Sequence, residues 1–452
     1  MFRRLFTVVL PLLAALLFTT VFAQSFSRTQ VDMLRTLRRL PNPLARYEYL
    51  IRVIPRLSGN DQGLAEQFRS FALAELGVYN QAVLSFPLVS ERPQGLTLPD
   101  RASWKGVDAL DVILRMATDR RIVMINEAHH NAHTRELTLA LLPRLRTLGF
   151  GYFAAEALSN DDQGLMQRGY PVQTSGTEYL QEPLYGEIVR EAIRLGFVIV
   201  PYESASNEPG ARDAEQAGNL YRKVFAKDPA ARLFVDAGYA HIDKARGRLG
   251  DVEPMAMHLA KLTGFEPLSI DQTQFLETGY DRTDDYHLLS HRFPARSPEV
   301  LVDRVSGKAW SALPQLYDLN VILPPALNVK TFGDEVTSTF VGARLKDVSD
   351  PARLVTGSLI AWNEMQRPGW LSLGGQRQPW AISTDLCRSR VPCVVGARYL
   401  GERDAATAAD RYAFIQPYSR STLYLFPGRY RLRASNADGR TLSERIIAVT
   451  GH

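Results

Sequence analysis

Apolar residues recur at helical spacing through the first quarter of the chain. Leu34, Leu37 and Leu40 share one helical face, and Tyr47, Leu50, Ile51 and Ile54 a second. Leu64, Phe68, Phe71, Ala72 and Leu76 form a third stripe that ends at Gly77. The phrase from Ala74 to Ala82 reads as a helix-turn-helix of the tetratricopeptide sort, or as one helical hairpin packed on the next domain, since stable arrays need about three repeats. Residues 88–105 are rich in proline and polar side chains and read as a linker.

From about 106 to 330 the period changes. Short β-branched runs at Ile122–Ile125, Tyr152–Ala155, Phe197–Val200, Leu233–Val235 and Pro267–Ile270 alternate with helical patterns at Arg135–Leu148, Leu184–Leu195, Ala211–Phe225 and Pro254–Leu262. Three of these helices run into Gly149, Gly196 and Gly264, the residue type that stops a helix. Such β-α-β units predict a mostly parallel central sheet flanked by helices, the α/β class. Short buried runs do not separate a closed barrel from an open sheet. After 331 the helical signal fades. Alternating strands at Leu423–Phe426 and Tyr430–Arg433, with turns at Pro427-Gly428 and Ala437-Asp438-Gly439, predict a C-terminal β-sandwich with a role in support or interaction. The division is thus 24–105 helical segment and linker, 106–330 α/β domain, and 331–452 β domain.

Residues 1–23 stand outside this pattern. Arg3 and Arg4 precede an apolar run, Leu5–Phe18, and Val21-Phe22-Ala23 offers small residues before a cut at Gln24. This is the layout of a secretory signal peptide; an uncleaved anchor is the alternative, though the run is short for a bilayer span of about 20 residues. The signal implies a secreted or periplasmic protein, with no membrane span after cleavage. Removing those residues takes away two arginines and no acids, so the formal charge falls from +5 to +3. A mildly basic chain of 452 residues without a basic, aromatic-interleaved stripe gives no reason to invoke nucleic acid. The two cysteines, Cys387 and Cys393, read as a local disulfide in an oxidising compartment; free thiols or a metal pair are the alternatives.

Chemistry is expected where strands end, since ligands of both open α/β sheets and β/α barrels bind at the strands' carboxyl edge. The first run ends in Asn126-Glu127-Ala128-His129-His130, followed by His133; the second in Glu156; the third in Tyr202-Glu203; the fourth in Asp236-Ala237-Gly238-Tyr239-Ala240-His241; the fifth in Asp271. A single strand-end carboxylate can simply cap the next helix. Carboxylates gathered together repel and need cations or a shared proton. His129, His130, His133, His241 and Arg212 can supply these. Arg212 can alternatively pair at the surface with Glu208 or Asp213.

Glu127-x-x-His130, Glu156, Arg212-Asp213 and Gly238-x-x-His241, in that order, resemble the erythromycin esterase-like proteins. ChaN-like haem-binding and Tiki/TraB proteins look similar, with the histidine one place earlier, where His129 stands. The likeness covers about residues 110–290. Asn126 departs from it, because the family has glycine there. The resemblance implies an exported, esterase-like hydrolase that works without metal. His130 would activate water, Glu127 or Glu156 would orient it, and Arg212 and His241 would stabilise developing negative charge, with Glu203 and Asp236 lining the site. The ChaN version implies a haem site built from His129, His133 and Tyr239. The Tiki version implies a divalent metal on Glu127, His129 and His241. Expected partners are a small-molecule substrate or haem, with a protein partner possible through the helical or β module.

Overall fold

The computed structural model describes residues 27–326 and 367–451, apart from 89, 207, 279–283 and 416. The signal-like segment 1–23 and the stretch 327–366 lie outside the described residues.

Four helices come first: α1 (Arg28–Arg39), α2 (Pro43–Val53), α3 (Gly59–Glu75) and α4 (Tyr79–Leu84). Their starts are written in the sequence. Ser27 and Gln30 form a reciprocal capping box on α1, and Asn42 caps α2 ahead of Pro43. The Ala74–Ala82 phrase is the α3–α4 turn. Gly77 sits there at φ +72, and a Cβ would overlap the carbonyl of Arg411.

The α/β part then runs β1 (Trp104–Asp108), α5 (Ala109–Ala117), β2 (Ile122–Glu127), α6 (Thr134–Thr147), β3 (Tyr152–Ala155), α7 (Leu165–Arg168), α8 (Pro183–Arg194), β4 (Val198–Pro201), α9 (Pro209–Leu220), β5 (Leu233–Gly238), α10 (Met255–Thr263), β6 (Leu268–Asp271), α11 (Asp285–Arg292), β7 (Glu299–Asp303) and β8 (Leu319–Ile322). Its eight strands lie in the order β1-β7-β8-β6-β2-β5-β3-β4. The six from β8 to β4 are parallel; β7 runs antiparallel to β8 and to β1. The sheet is open, with β1 and β4 at its edges, which settles the choice between sheet and barrel.

Both faces are covered, as a parallel sheet requires. Val123, Ile125, Phe153 and Phe234 share a core with α5, α6, α8 and the N-terminal helices. Ile122, Met124, Ala154 and Val235 share another with α9 and α10. The end of the expected linker is strand β1, whose register pairs Trp104 with Asp303 and Asp108 with Glu299. Its five residues carry two charges and a glycine, so no apolar alternation announced it.

The C-terminal part holds β9 (Gln378–Ser383), β10 (Cys393–Tyr399), β11 (Asp410–Phe414), β12 (Arg420–Leu425), β13 (Gly428–Ser435) and β14 (Thr441–Val449). They form a four-stranded antiparallel sheet, β11-β10-β13-β14, and a two-stranded one, β12-β9, around a shared core of Ile382, Val395, Phe414, Leu423 and Leu432. Cys387 and Cys393 are joined in a disulfide beside that core. This part is keyed to the rest. Ala413 N–H donates to Leu76 O at 3.0 Å, and Arg190 of α8 grips Glu402 in a two-pronged pair at 2.8 and 2.7 Å. Among the described residues no helix is long and apolar enough to cross a membrane.

Candidate functional site

The carboxyl ends of β2, β3, β4 and β5 adjoin one another in the sheet, so the residues beyond them meet. Glu127 closes β2. One of its oxygens takes His129 Nδ1 at 2.7 Å and the other takes Arg135 at 2.6 Å. The His129 ring lies flat on Tyr179, with centroids 3.9 Å apart, and edge-on to Tyr239 and Phe71. Its Nε2 side presses on Gly238. A Cβ built there would lie 2.7 Å from His129 Cε1 and 3.0 Å from Glu156 Oε2. Glycine at 238 is therefore what lets the imidazole and the second carboxylate share one space.

Glu156, after β3, accepts from the Gly238 N–H and from Arg212, both at 2.5 Å. Arg212, in the first turns of α9, also holds Glu203 through Nε at 3.0 Å and Nη2 at 2.6 Å, and places Nη1 2.8 Å from His241 Nε2. The surface pairing of Arg212 with Glu208 or Asp213 is not the one formed. His241 in turn gives Nδ1 to Asp213 at 2.7 Å, whose same oxygen accepts the Met255 N–H at 2.8 Å. Two histidines, each seated on a carboxylate, thus flank a central Glu156–Arg212 pair. Of the five N–H bonds of Arg212, four are engaged by these contacts, and one on Nη1 points to no described residue.

Burial and charge decide the protonation states. Burial pushes Glu156 toward the neutral acid, but Arg212, His241 and His129 outweigh it and hold the carboxyl well below its ordinary range. Glu127 is likewise favoured neutral by burial yet held low by Arg135 and His129. Burial lowers His241, while Asp213 and Glu156 raise it to a net value above that of free histidine. The Arg212 contact pulls the other way, since Nε2 can accept from a guanidinium only while neutral. A protonated ring would have to release Arg212 and turn toward Glu156 Oε1, 3.8 Å away.

Three expected site residues stand elsewhere. His130 is stacked on Phe86 at 3.6 Å, and the Tyr239 hydroxyl lies 3.4 Å from its Nδ1, long for a hydrogen bond. Burial, with His129 and Arg135 adding like charge, pushes it down to about 3. It is a neutral packing residue, poorly placed as a base. His133 Nε2 lies 3.0 Å from Glu136 Oε2, and its ring stacks on Trp370. Asp236 points into the α6–α8 layer, taking the hydroxyls of Tyr185 at 2.8 Å and Thr138 at 2.9 Å. Burial, then Glu127, raise it to about 7.

Neither cofactor expectation fits this donor set. His129 Nδ1 is committed to Glu127 and its ring is sandwiched against Tyr179, while His133 lies off with Trp370, so the two cannot bracket a haem plane. A cation on Glu127, His129 and His241 would face two guanidiniums already bonded to these groups. Among the described residues no group of three or more His, Cys, Asp or Glu is placed to hold a metal.

Asn126 behaves unlike a glycine substitute. It lies in regular strand β2, and its amide donates to Tyr239 O, Asp271 Oδ1 and Thr273 Oγ1 at 2.7, 2.8 and 2.9 Å and accepts the Gln272 N–H at 2.6 Å. It ties β2 to β6 and fixes the Tyr239 carbonyl, in a turn where Tyr239 has φ +45. Sequence reasoning missed Arg135, fully buried between Glu127 and Glu182. Its only sequence signal is a lone arginine in the first turn of an otherwise apolar-faced helix.

Fold and site together define an open α/β protein with an acid–histidine cluster at the carboxyl edge of its parallel strands. No protein-family model and no curated protein matches the chain. Among solved structures it is similar to the type III effector HopBA1, at 13% identity and a TM-score of 0.28 over 46% of this chain and 93% of that one. It is also similar to RRSP, a MARTX toxin effector domain from Vibrio vulnificus, at 17% identity and 0.27 over 44% and 43%. A third similarity is to the C-terminal region of Pasteurella multocida toxin, at 9% and 0.28 over 86% and 54%. The chain spans less than two thirds of the last two.

Proposed function

We propose that this protein is a hydrolase of the erythromycin esterase-like type, exported and acting on a small-molecule ester without a metal. The observation that carries the reading is the convergence of two histidine–carboxylate pairs on Glu156 and Arg212. Glu127 takes the Nδ1 proton of His129, which leaves Nε2 as the atom that removes a proton from water. The anionic Glu156 beside it orients that water. The free N–H of Arg212 is the donor for the oxygen that becomes negative as water adds to the carbonyl. His129 then passes that proton to the leaving alcohol, while His241, neutral at Nε2 and seated on Asp213, accepts from Arg212 and holds the guanidinium on the carbonyl oxygen. Relative to the sequence expectation, the base moves from His130 to His129, while Glu127, Glu156, Arg212 and His241 keep roles.

The test is hydrolysis of 4-nitrophenyl acetate and butyrate by the full chain. Turnover should survive chelator, fall at least about a hundredfold in His129→Ala, and stay within about threefold in His130→Phe. Loss in His130→Phe with retention in His129→Ala would reverse the assignment. Chelator-sensitive turnover would replace the reading with a metal-dependent one.

A further inference from the structure

The C-terminal four-stranded sheet carries a second charged cluster, distant in sequence from the site above. Register places its members on one face, because directly opposed residues of antiparallel strands and residues two apart on one strand point the same way. Arg411 of β11 lies opposite Gly396 of β10, and Gly396 lies opposite Arg433 of β13. Arg398, two residues beyond Gly396, lies opposite Arg431. Four arginines therefore surround one glycine. A Cβ at Gly396 would meet Arg411 Cβ at 3.7 Å, Ala408 Cβ at 3.8 Å and Arg398 Nη1 at 3.8 Å, ordinary contact distances, so a side chain at 396 would abut Arg398 and Arg411.

Only two carboxylates form ion pairs with these arginines among the described residues. Asp404, 60% exposed on a loop, bridges Arg431 at 2.9 Å and Arg433 at 3.0 Å. Glu444 takes Arg433 at 2.5 Å from the outer edge. Arg398 spends its Nε on the Ala406 carbonyl at 3.0 Å and has no carboxylate partner among the described residues. Arg411 is 6% exposed, yet its guanidinium has no hydrogen-bond or ion-pair partner among the described residues. Glu75 and Glu182 act on Arg411 electrostatically, but Glu75 is bonded to Arg46 and Glu182 to Arg135. A buried, unpaired guanidinium is costly, and four like charges at adjacent sheet positions repel.

We propose that this arginine ring is an anion site that takes the phosphate group of free phosphate or a small phosphomonoester. Two arginines in excess of the available acids match a divalent oxyanion, and forked N–H pairs suit its tetrahedral oxygens. Glycine at 396 keeps the approach to Arg398 clear, where a larger side chain would abut its guanidinium. Bound phosphate would also lock β10, β11 and β13 together.

The experiment uses the full chain, with calorimetric titration and melting curves at constant ionic strength. Inorganic phosphate should bind once per chain and raise Tm by about 1–2 °C at roughly tenfold excess over Kd, where chloride does not. Arg398→Met and Gly396→Val should each weaken that binding at least about tenfold while melting normally in chloride, the second without removing any charge. If Gly396→Val fails to fold, Arg398→Met decides. Glycerol 3-phosphate distinguishes the two sources, binding tighter than the free ion if the site is built for a monoester. Phosphate acting no better than chloride, or bound equally by the foldable variants, overturns the proposal. The readout is independent of any hydrolytic activity.

Discussion

Arg135 is the residue on which the electrostatics of His129 rest. Its side chain is fully buried, ion-paired with Glu127 at 2.6 Å and bonded to Glu182 at 3.1 Å, with its guanidinium 4.9 Å over the Tyr185 ring. Glu182 in turn accepts the Tyr79 hydroxyl at 2.7 Å and caps α8 through two N–H groups. Replacing Arg135 by methionine fills most of the buried volume and deletes the cation. Removing one partner of a buried ion pair costs about 3–5 kcal/mol, because the remaining charge stays desolvated.

The sign with pH is set by Glu127. In the native protein its carboxyl is held low by Arg135 and His129 against burial, so its contribution is present above the unfolded value and lost as pH falls through the folded one. Without Arg135, burial dominates and the group titrates above its unfolded value, so stability is instead lost as pH rises. The deficit of Arg135→Met should therefore be largest near pH 8 and shrink toward pH 5. Urea unfolding monitored by far-UV circular dichroism at about pH 5, 6.5 and 8 measures it. Arg135→Lys, which keeps the charge but not the fork, should fall between. A deficit under about 1 kcal/mol at pH 8, or one that is flat across this range, would refute the reasoning, given the magnitude expected for a broken buried pair.

Three further outcomes are expected. His130 is buried neutral with its value pushed down to about 3, so wild-type stability should fall as pH drops from about 6.5 toward 3, by on the order of 4 kcal/mol; His130→Phe, monitored by acid unfolding, should flatten that limb. Gly238→Ala would drive a methyl into His129 and Glu156, costing roughly 1–3 kcal/mol in urea unfolding and abolishing ester turnover. Asn126→Gly, which restores the residue typical of the resembled family, should lower stability by roughly 1–3 kcal/mol in the same assay, since it strands the Gln272 N–H and removes the amide bonds to Tyr239 O and Asp271.

The α/β class was legible because periodicity and terminators agreed. Gly149, Gly196 and Gly264 end helices at φ +88, +79 and +73, where the sequence placed the stops. Five of the parallel strands, β2 to β6, were legible because each is a short apolar run between such stops; β8 was not singled out. β1 and β7 were not, since edge and antiparallel strands need bury only part of their length, and Trp104–Asp108 is too polar to stand out. At the site, strand-end position brought Glu127, Glu156, Glu203 and His241 to notice, and Arg212 stood at the start of the helix that follows; all of them meet. Position could not distinguish His129 from His130. Adjacent residues leave a strand end in opposite directions, and which one meets Glu127 depends on Arg135 of the following helix and on Phe86 and Tyr179, which come from distant segments. The same limit applies to Asp236, whose strand position turns it toward Thr138 and Tyr185 rather than toward the cluster.

In the proposed hydrolase, His129 and His241, far apart in the chain, work on one water and one carbonyl. A double-mutant cycle in kcat/KM for 4-nitrophenyl butyrate, with His129→Ala, His241→Ala and the pair, addresses this directly. Residues that act as a unit lose their function together, so the double variant should be about as impaired as the worse single one. Losses that multiply across the two positions would mean independent roles, and the composite site would not stand.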